Sequence, residues 1–304
     1  MMVKTLIFKL SVFTFIVFGS FTFILMNYGG YVDYFYEKFT SPKSKSIIIG
    51  DSRALNGIKP EVINTNLNSI PFDLPILNYS FTIAQSRIGP LYNSSILKKI
   101  DKSSKNGLFL ISITPLMLSS DISLNNVKGE FTEKGMPPHN MTIVDFNPNY
   151  EYLIKNLNYF HFKAIFRKKA LLHKDGWFEE KNIPTTIKGI YKSNKIAEKI
   201  FASTSKNYKP SKFRLKSLDT LITNLKEYGN VYLVRTPISN NFYKLEEKFY
   251  PSFEFDIDSI ANKNHIEYLN FHDLKIDLYD GEHLSKNEAE IFTEALCDSI
   301  SSFF

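Results

Sequence analysis

SIIIGDSRALNG, residues 46–57, decides how the chain is read. Three consecutive isoleucines run into Gly50-Asp51-Ser52-Arg53, and there the apolar run stops. β-Branched residues at successive positions suit a strand covered on both faces, as in a parallel sheet flanked by helices. Open α/β sheets bind ligands beyond the carboxyl ends of their strands, and Ser52 stands at such an end. Two readings stand: a nucleophile held where the strand gives way to a turn, or a polar residue in an ordinary turn.

Outward from this stretch, the sequence predicts further strands over residues 76–80 (ILNYS), 107–114 (GLFLISIT), 231–234 (VYLV) and 266–271 (IEYLNF), with the first over 46–50. Helical patterns fall between them, over 84–99, 212–228 and 243–263. Ser285-Lys286-Asn287-Glu288 reads as a capping box opening a last helix, in which Phe292, Leu296, Ile300 and Phe303 recur at helical spacing. Strands alternating with helices imply an α/β fold: three layers around a doubly wound, mostly parallel five-stranded sheet. Residues 119–210 break the rhythm. They are polar, carry the turn signals GMPPHN, NPNY and NIPTT, and include a basic helical pattern with Lys163, Arg167, Lys168 and Lys169. This region is expected to be an insertion over the top of the sheet, its basic face either solvated or meeting acidic polymer or lipid headgroups.

A serine hydroxyl is a weak nucleophile until a base takes its proton. Of the six histidines, His283 stands three residues after Asp280 in YDGEHLS, directly before the last helix. One tight turn can then set the carboxylate against the imidazole, fixing its tautomer and stabilising the imidazolium. His272-Asp273 is the competing pair, at the end of the fifth strand with no capped helix behind it.

With these residues in place, IGDSR around Ser52 and DGEHL with Asp280 and His283 resemble the first and last blocks of the SGNH (GDSL-type) hydrolase superfamily. The resemblance spans residues 45–304 apart from the insertion. It implies a flavodoxin-like fold and a site for acyl esters, with Ser52 as nucleophile, His283 as general base and Asp280 as its orienting partner. Two blocks depart from the family pattern. In LNYSF, Asn78 is kept, but Ser80 stands where the family has an oxyanion-hole glycine. After the third strand ISITP offers Thr114 in place of the usual Asn. Losing one oxyanion donor costs about 3 kcal/mol, roughly a hundredfold in rate. Arg235, at the end of the fourth strand, is a candidate substitute that could hold a carboxylate, a phosphate or an oxyanion; the alternative is a strand-end arginine paired with an acid. Arg53, beside Ser52, has a weaker claim of the same kind.

The remaining signals bound the setting. Residues 6–26 are apolar except for Lys9 and small polar residues, with no charge from Leu10 to Met26, close to the span of a roughly 30 Å hydrocarbon core. Lys4 and Lys9 lie on one side, and Asp33 and Glu37 on the other, which favours the N-terminus inside and the rest exported. The expectation is therefore an anchor over residues 1–27, a stalk over 28–44 and one domain over 45–304. A cleaved signal peptide is the rival reading, and FGSFTF suits cleavage poorly. A net charge of +6 spread along the chain gives no nucleic-acid footprint. One cysteine, Cys297, excludes a disulfide framework and a cysteine-rich metal site. No P-loop or G-x-G-x-x-G is present, so no cofactor is expected, and no metal either.

RTPIS followed by a Glu-containing helix, with the apolar N-terminus, is similar to membrane-anchored SGNH-like proteins that modify envelope polymers, as in alginate O-acetylation or teichoic acid D-alanylation. The likeness implies an exported serine O-acyltransferase or esterase acting on a cell-envelope polysaccharide or glycoconjugate. Its partners would be an acyl-bearing glycan or acyl donor and a membrane acyl-donor protein. The alternative is a catalytically inactive scaffold that binds an envelope polymer or a membrane partner.

Overall fold

The structure is a computed structural model that describes residues 2–168 and 170–304; Lys169, one of the four basic residues singled out in the insertion, lies outside the described residues. Helix α1 (Met2–Tyr28) is long and apolar enough to cross a membrane. Residues 2–20 are exposed along it; ring contact with the rest of the protein is made from Phe18, which stacks on Tyr150, and Leu25 near the C-terminal end is buried. A single turn, Gly29–Tyr31, and α2 (Tyr36–Thr40) lead to β1 (Ser46–Ile49). Residues 28–44, expected as a stalk, pack against the domain. Tyr36 and Phe39 join its main core, and Lys38 is buried with its ammonium donating to the carbonyls of Asn78 and Gly176. Burial holds that lysine well below its usual pKa.

Two short helices absent from the sequence expectation follow β1. Asp51 caps α3 (Ser52–Gly57), its carboxylate accepting the Arg53 N–H at 3.0 Å, and Pro60 opens α4 (Pro60–Asn66). Next come β2 (Ile76–Asn78), α5 (Pro90–Lys99) and β3 (Gly107–Ser112). The helix expected over 84–99 starts only at Pro90, because Gly89 before it is fully extended.

The insertion opens with β4 (Ser119–Asp121) and continues through α6 (Tyr150–Asn156), β5 (Ala170–Leu172), β6 (Phe178–Glu180), α7 (Ile187–Thr204) and β7 (Tyr208–Pro210). Antiparallel pairing of Ser119 with Pro210 and of Asp121 with Tyr208 makes the chain leave and return at one place. The β5–β6 hairpin lies against α3, with Phe178, Leu172 and Ala170 packed around Leu55. On the other side, Ala197 and Phe201 of α7 pack on Ile238 and Phe242.

The chain then runs through α8 (Lys212–Leu225), β8 (Gly229–Arg235), α9 (Asn240–Phe249), α10 (Phe253–Asn264), β9 (Glu267–Asn270) and α11 (Lys286–Ser301). The single helix expected over 243–263 is two helices, interrupted at Pro251, whose missing N–H cannot continue the ladder. Ser285 does occupy the N-cap of α11. Its hydroxyl donates to the Glu288 carboxylate, so the two side chains satisfy each other and the capping box does not form.

Five strands form one parallel sheet in the order β2-β1-β3-β8-β9. Alternation along the strands sorts the two cores. Ile47, Ile49, Phe109, Ile111 and Leu233 face α5, α8 and α10, while Ile48, Leu108, Leu110 and Val234 face α3, α4 and α11. Cys297 is buried in this second core. The result is the expected three-layer α/β architecture, with the carboxyl ends of β1, β3 and β8 on one edge.

Candidate active site

Two loops converge on that edge. The first is the turn from β1 into α3. Its extended Asp51 leads straight into the helix and places Ser52 at the first helical position, half-buried. The second is a tight hairpin over residues 279–283, closed by the Tyr279 N–H donating to the His283 carbonyl at 3.2 Å and by bridging between Leu278 and Leu284. Gly281 makes this turn possible with φ at +91°, and a Cβ there would lie 3.1 Å from the Ser239 hydroxyl. Inside the hairpin, one oxygen of Asp280 accepts the N–H groups of Glu282 (3.1 Å) and His283 (2.9 Å).

The other Asp280 oxygen accepts from His283 Nδ1 at 2.8 Å, and His283 Nε2 stands 2.8 Å from Ser52 Oγ. A carboxylate only accepts, so Nδ1 carries the proton and Nε2 offers its lone pair to the serine O–H. Ser52 and His283, 231 residues apart in sequence, meet in an unbroken Ser-His-Asp relay. Burial depresses the His283 pKa, but the Asp280 hydrogen bond and the charges of Glu282 and Asp280 outweigh it, and the net shift is upward. Burial pushes Asp280 up, but its bonds to His283 and to the hairpin amides win and hold it below the usual carboxylate value. The Tyr279 ring stacks along the imidazole, with centroids 5.9 Å apart at 18°. The competing His272 is turned elsewhere, bonded to Asn270 at 2.9 Å and stacked on Tyr243.

The five residues expected to bind substrate or oxyanion are placed differently from the relay. Asn78 is a staple: its amide donates to the carbonyls of Ala54 (2.8 Å) and Ile58 (3.0 Å), and its oxygen accepts the Ser80 N–H at 3.0 Å. That last bond engages the backbone donor expected of Ser80. The Ser80 hydroxyl is buried and has no hydrogen-bond partner among the described residues, next to Phe81, whose N–H donates to the Gly50 carbonyl. Thr114 donates to Asp51 Oδ2 at 2.7 Å, so its hydroxyl braces the turn instead of facing outward.

Neither arginine is a free anion clamp. Arg235 is 1% exposed, pairs with Glu246 and Glu254, and lies over the Phe253 ring. Arg53 is 4% exposed and bonds Glu246 at 2.8 Å and Glu282 at 3.0 Å. Glu246 therefore sits between two guanidiniums. Burial raises its pKa, but Arg235 and Arg53 overcome this and leave it lowered. The chain Arg235–Glu246–Arg53–Glu282 runs beneath the relay and ties β8, α9 and α3 to the hairpin. Glu246 and Glu282 escaped the sequence reading as functional positions. The glutamate inside DGEHL and the charge in the helix after RTPIS were visible there, but their partners were not.

Behind the β5–β6 hairpin, a groove of about 600 Å³ is lined by Tyr34, Gln85, Tyr152, Arg167, Ala170 and Glu180, among others. Glu180 stands close enough to Tyr279 for its charge to help raise the phenol pKa, after burial and Asp280. Among the described residues no group of three or more His, Cys, Asp or Glu is arranged to hold a metal ion.

No protein-family model matches the sequence, and no curated protein matches it. Among solved structures, the chain is similar to Est24, a carbohydrate acetylesterase from Sinorhizobium meliloti, at 11% sequence identity over 86% of this chain and 100% of that one, with a TM-score of 0.39. It is similar to the native aryl esterase of M. smegmatis (10%, 85% and 98%, TM-score 0.39) and to a lipase/acylhydrolase from Enterococcus faecalis (10%, 86% and 96%, TM-score 0.37). At this level the likenesses assign neither activity nor substrate.

Proposed function

We propose that the protein is a membrane-anchored serine acyl-transfer enzyme of the SGNH type, and the observation that carries this is the Ser52–His283–Asp280 relay. In this reading His283 Nε2 takes the Ser52 proton as Oγ attacks an acyl carbonyl. The imidazolium, held by Asp280, returns that proton to the departing alcohol oxygen. A second hydroxyl, from water or a sugar, then gives its proton to Nε2 and takes the acyl group from Ser52, whose departing Oγ receives that proton back from the imidazolium. Water gives an esterase and a sugar hydroxyl gives an O-acyltransferase; the first half-reaction is common to both.

The helix α1 supports placing this chemistry at a membrane, with the domain exported and an envelope polysaccharide or glycoconjugate as acyl carrier or acceptor. A tethered site next to such a polymer favours transfer. An intact relay argues against a scaffold that only binds.

The test is covalent labelling of the full-length protein with a fluorophosphonate and turnover of an activated acetyl ester. Labelling and turnover are expected in the wild type and absent in Ser52→Ala. Equal labelling without Ser52, or none in the folded wild type, overturns the enzyme. Product analysis with and without an acceptor glycan then separates transfer from hydrolysis.

A further inference from the structure

The insertion carries an apolar surface that neither the relay nor the sheet uses. Ile154, Tyr159, Phe160, Phe162 and Phe166 all point outward, with Ile154 84% and Phe166 86% exposed. This surface lies alongside the N-terminal helix. Tyr150 stacks on Phe18 with centroids 5.2 Å apart, and Phe162 stacks on Phe21 at 4.8 Å. At 1.5 Å per residue, Phe21 is about 8 Å and Phe18 about 12 Å inside the end of the apolar run at Met26. A segment that touches those rings is level with the outer part of whatever bilayer the helix spans.

The charges fit the same level. Residues 157–168 hold no Asp or Glu. Lys163 lies over the Tyr159 ring at 4.5 Å, Arg167 over Phe160 at 4.4 Å, and Lys168 is 5.5 Å from the Tyr31 ring. Cations lying over rings, beside exposed aromatics, form the mixed belt that suits a headgroup boundary: apolar bodies inward, ammonium and guanidinium ends toward phosphate. Interfacial segments bury their apolar face roughly 5–10 Å into that boundary; the Phe21 stack lies within that depth and the Phe18 stack slightly deeper.

The connection to the anchor is stiff. The Asp33 carboxylate accepts the Tyr152 hydroxyl at 2.7 Å and His161 Nε2 at 2.6 Å, so the residues just after the helix are bolted to the insertion. Gly30 packs so closely on the Leu172 carbonyl that a Cβ would come within 2.6 Å of it.

We propose that residues 150–168 are a second, monotopic membrane contact, sunk into the headgroup layer of the leaflet on the exported side, which fixes the height and tilt of the Ser52 site above the bilayer. This rests on the reading of α1 as a membrane span. It makes the domain a rigid body seated on the lipid, not one swinging on a tether, and it restricts the site to acyl carriers presented at the membrane surface.

Spin labels on single introduced cysteines test this in the full-length protein, in nanodiscs of phosphatidylcholine and phosphatidylglycerol; the native Cys297 is 1% exposed and stays unlabelled. Phe15→Cys reports the span, Ile154→Cys and Phe166→Cys the proposed contact, and Ile187→Cys, 90% exposed on α7, the aqueous side. Molecular oxygen should outcompete a water-soluble nickel chelate as collider at 15, 154 and 166, and the order should reverse at 187. Aqueous behaviour at 154 and 166 with a lipid-facing position 15 overturns the second contact and leaves the anchor. Shielding of 154 and 166 from both colliders means that protein covers the patch and equally overturns it. Aqueous behaviour at 15 removes the anchor reading itself.

Discussion

Arg53 and Glu282 meet at 3.0 Å, each directly beside a member of the relay in sequence: Arg53 follows Ser52, and Glu282 precedes His283. The pair clamps the serine turn to the histidine hairpin. It also places a carboxylate near the imidazole; burial lowers the His283 pKa, and the Asp280 bond followed by this Glu282 charge outweighs it and raises the net value.

That charge gives a pH prediction. The base acts only when neutral, so the rate rises with pH through the raised His283 pKa. Glu282→Gln removes an anion that favours the imidazolium and leaves Arg53, which disfavours it. The acid limb of kcat/KM should move to lower pH, so that the variant retains relatively more of its plateau activity at low pH. An acid limb that stays in place, or moves up, contradicts this account of Glu282.

Asp280→Asn keeps the hairpin's size but allows its amide to donate to Nδ1, which then turns the protonated nitrogen toward Ser52. A fall in kcat of roughly 10³–10⁴ is expected, with KM little changed. Near-wild-type turnover would show that the carboxylate does not set the tautomer.

The Ser80 hydroxyl is buried, unpartnered among the described residues and next to the end of β1. Since the Ser80 N–H is given to Asn78, we propose this unengaged hydroxyl as the oxyanion donor at that position. Ser80→Ala should lower kcat by about a hundredfold while the protein folds normally. An unchanged kcat would locate the donors elsewhere.

Glu246 neutralises Arg53 and Arg235 in a buried site. Glu246→Gln leaves two guanidiniums short of a counter-charge and should cost about 3–5 kcal/mol, or on the order of 10 °C in Tm. The folded-state pKa of Glu246 lies below its usual value, so its contribution is complete above the ordinary carboxylate range and is lost as pH falls through the depressed value. The gap in Tm between wild type and variant should therefore close in acid. A gap that widens there would refute the ion-pair explanation.

Local pattern alone determined much of this protein. SIIIG, GLFLIS and VYLV are short, continuously apolar and rich in β-branched or aromatic residues, which suits covered strands, and their alternation with amphipathic segments points to a parallel three-layer sheet. Asp280 and His283 were legible as a pair because three residues of one turn suffice to join them. The apolar run at residues 6–26 was legible for the same reason, since length and composition are local properties. What only the tertiary structure decided are contacts between distant segments. No spacing shows that Arg53 would turn inward to Glu246 and Glu282, that Asn78 would take the Ser80 N–H, or that Thr114 would brace Asp51. Nor could the sequence show residues 28–44 packing as core instead of hanging as a stalk. Buried polar groups find their partners wherever the packed elements leave an uncompensated charge or donor, and that geometry exists only after the sheet and its insertion have closed around them.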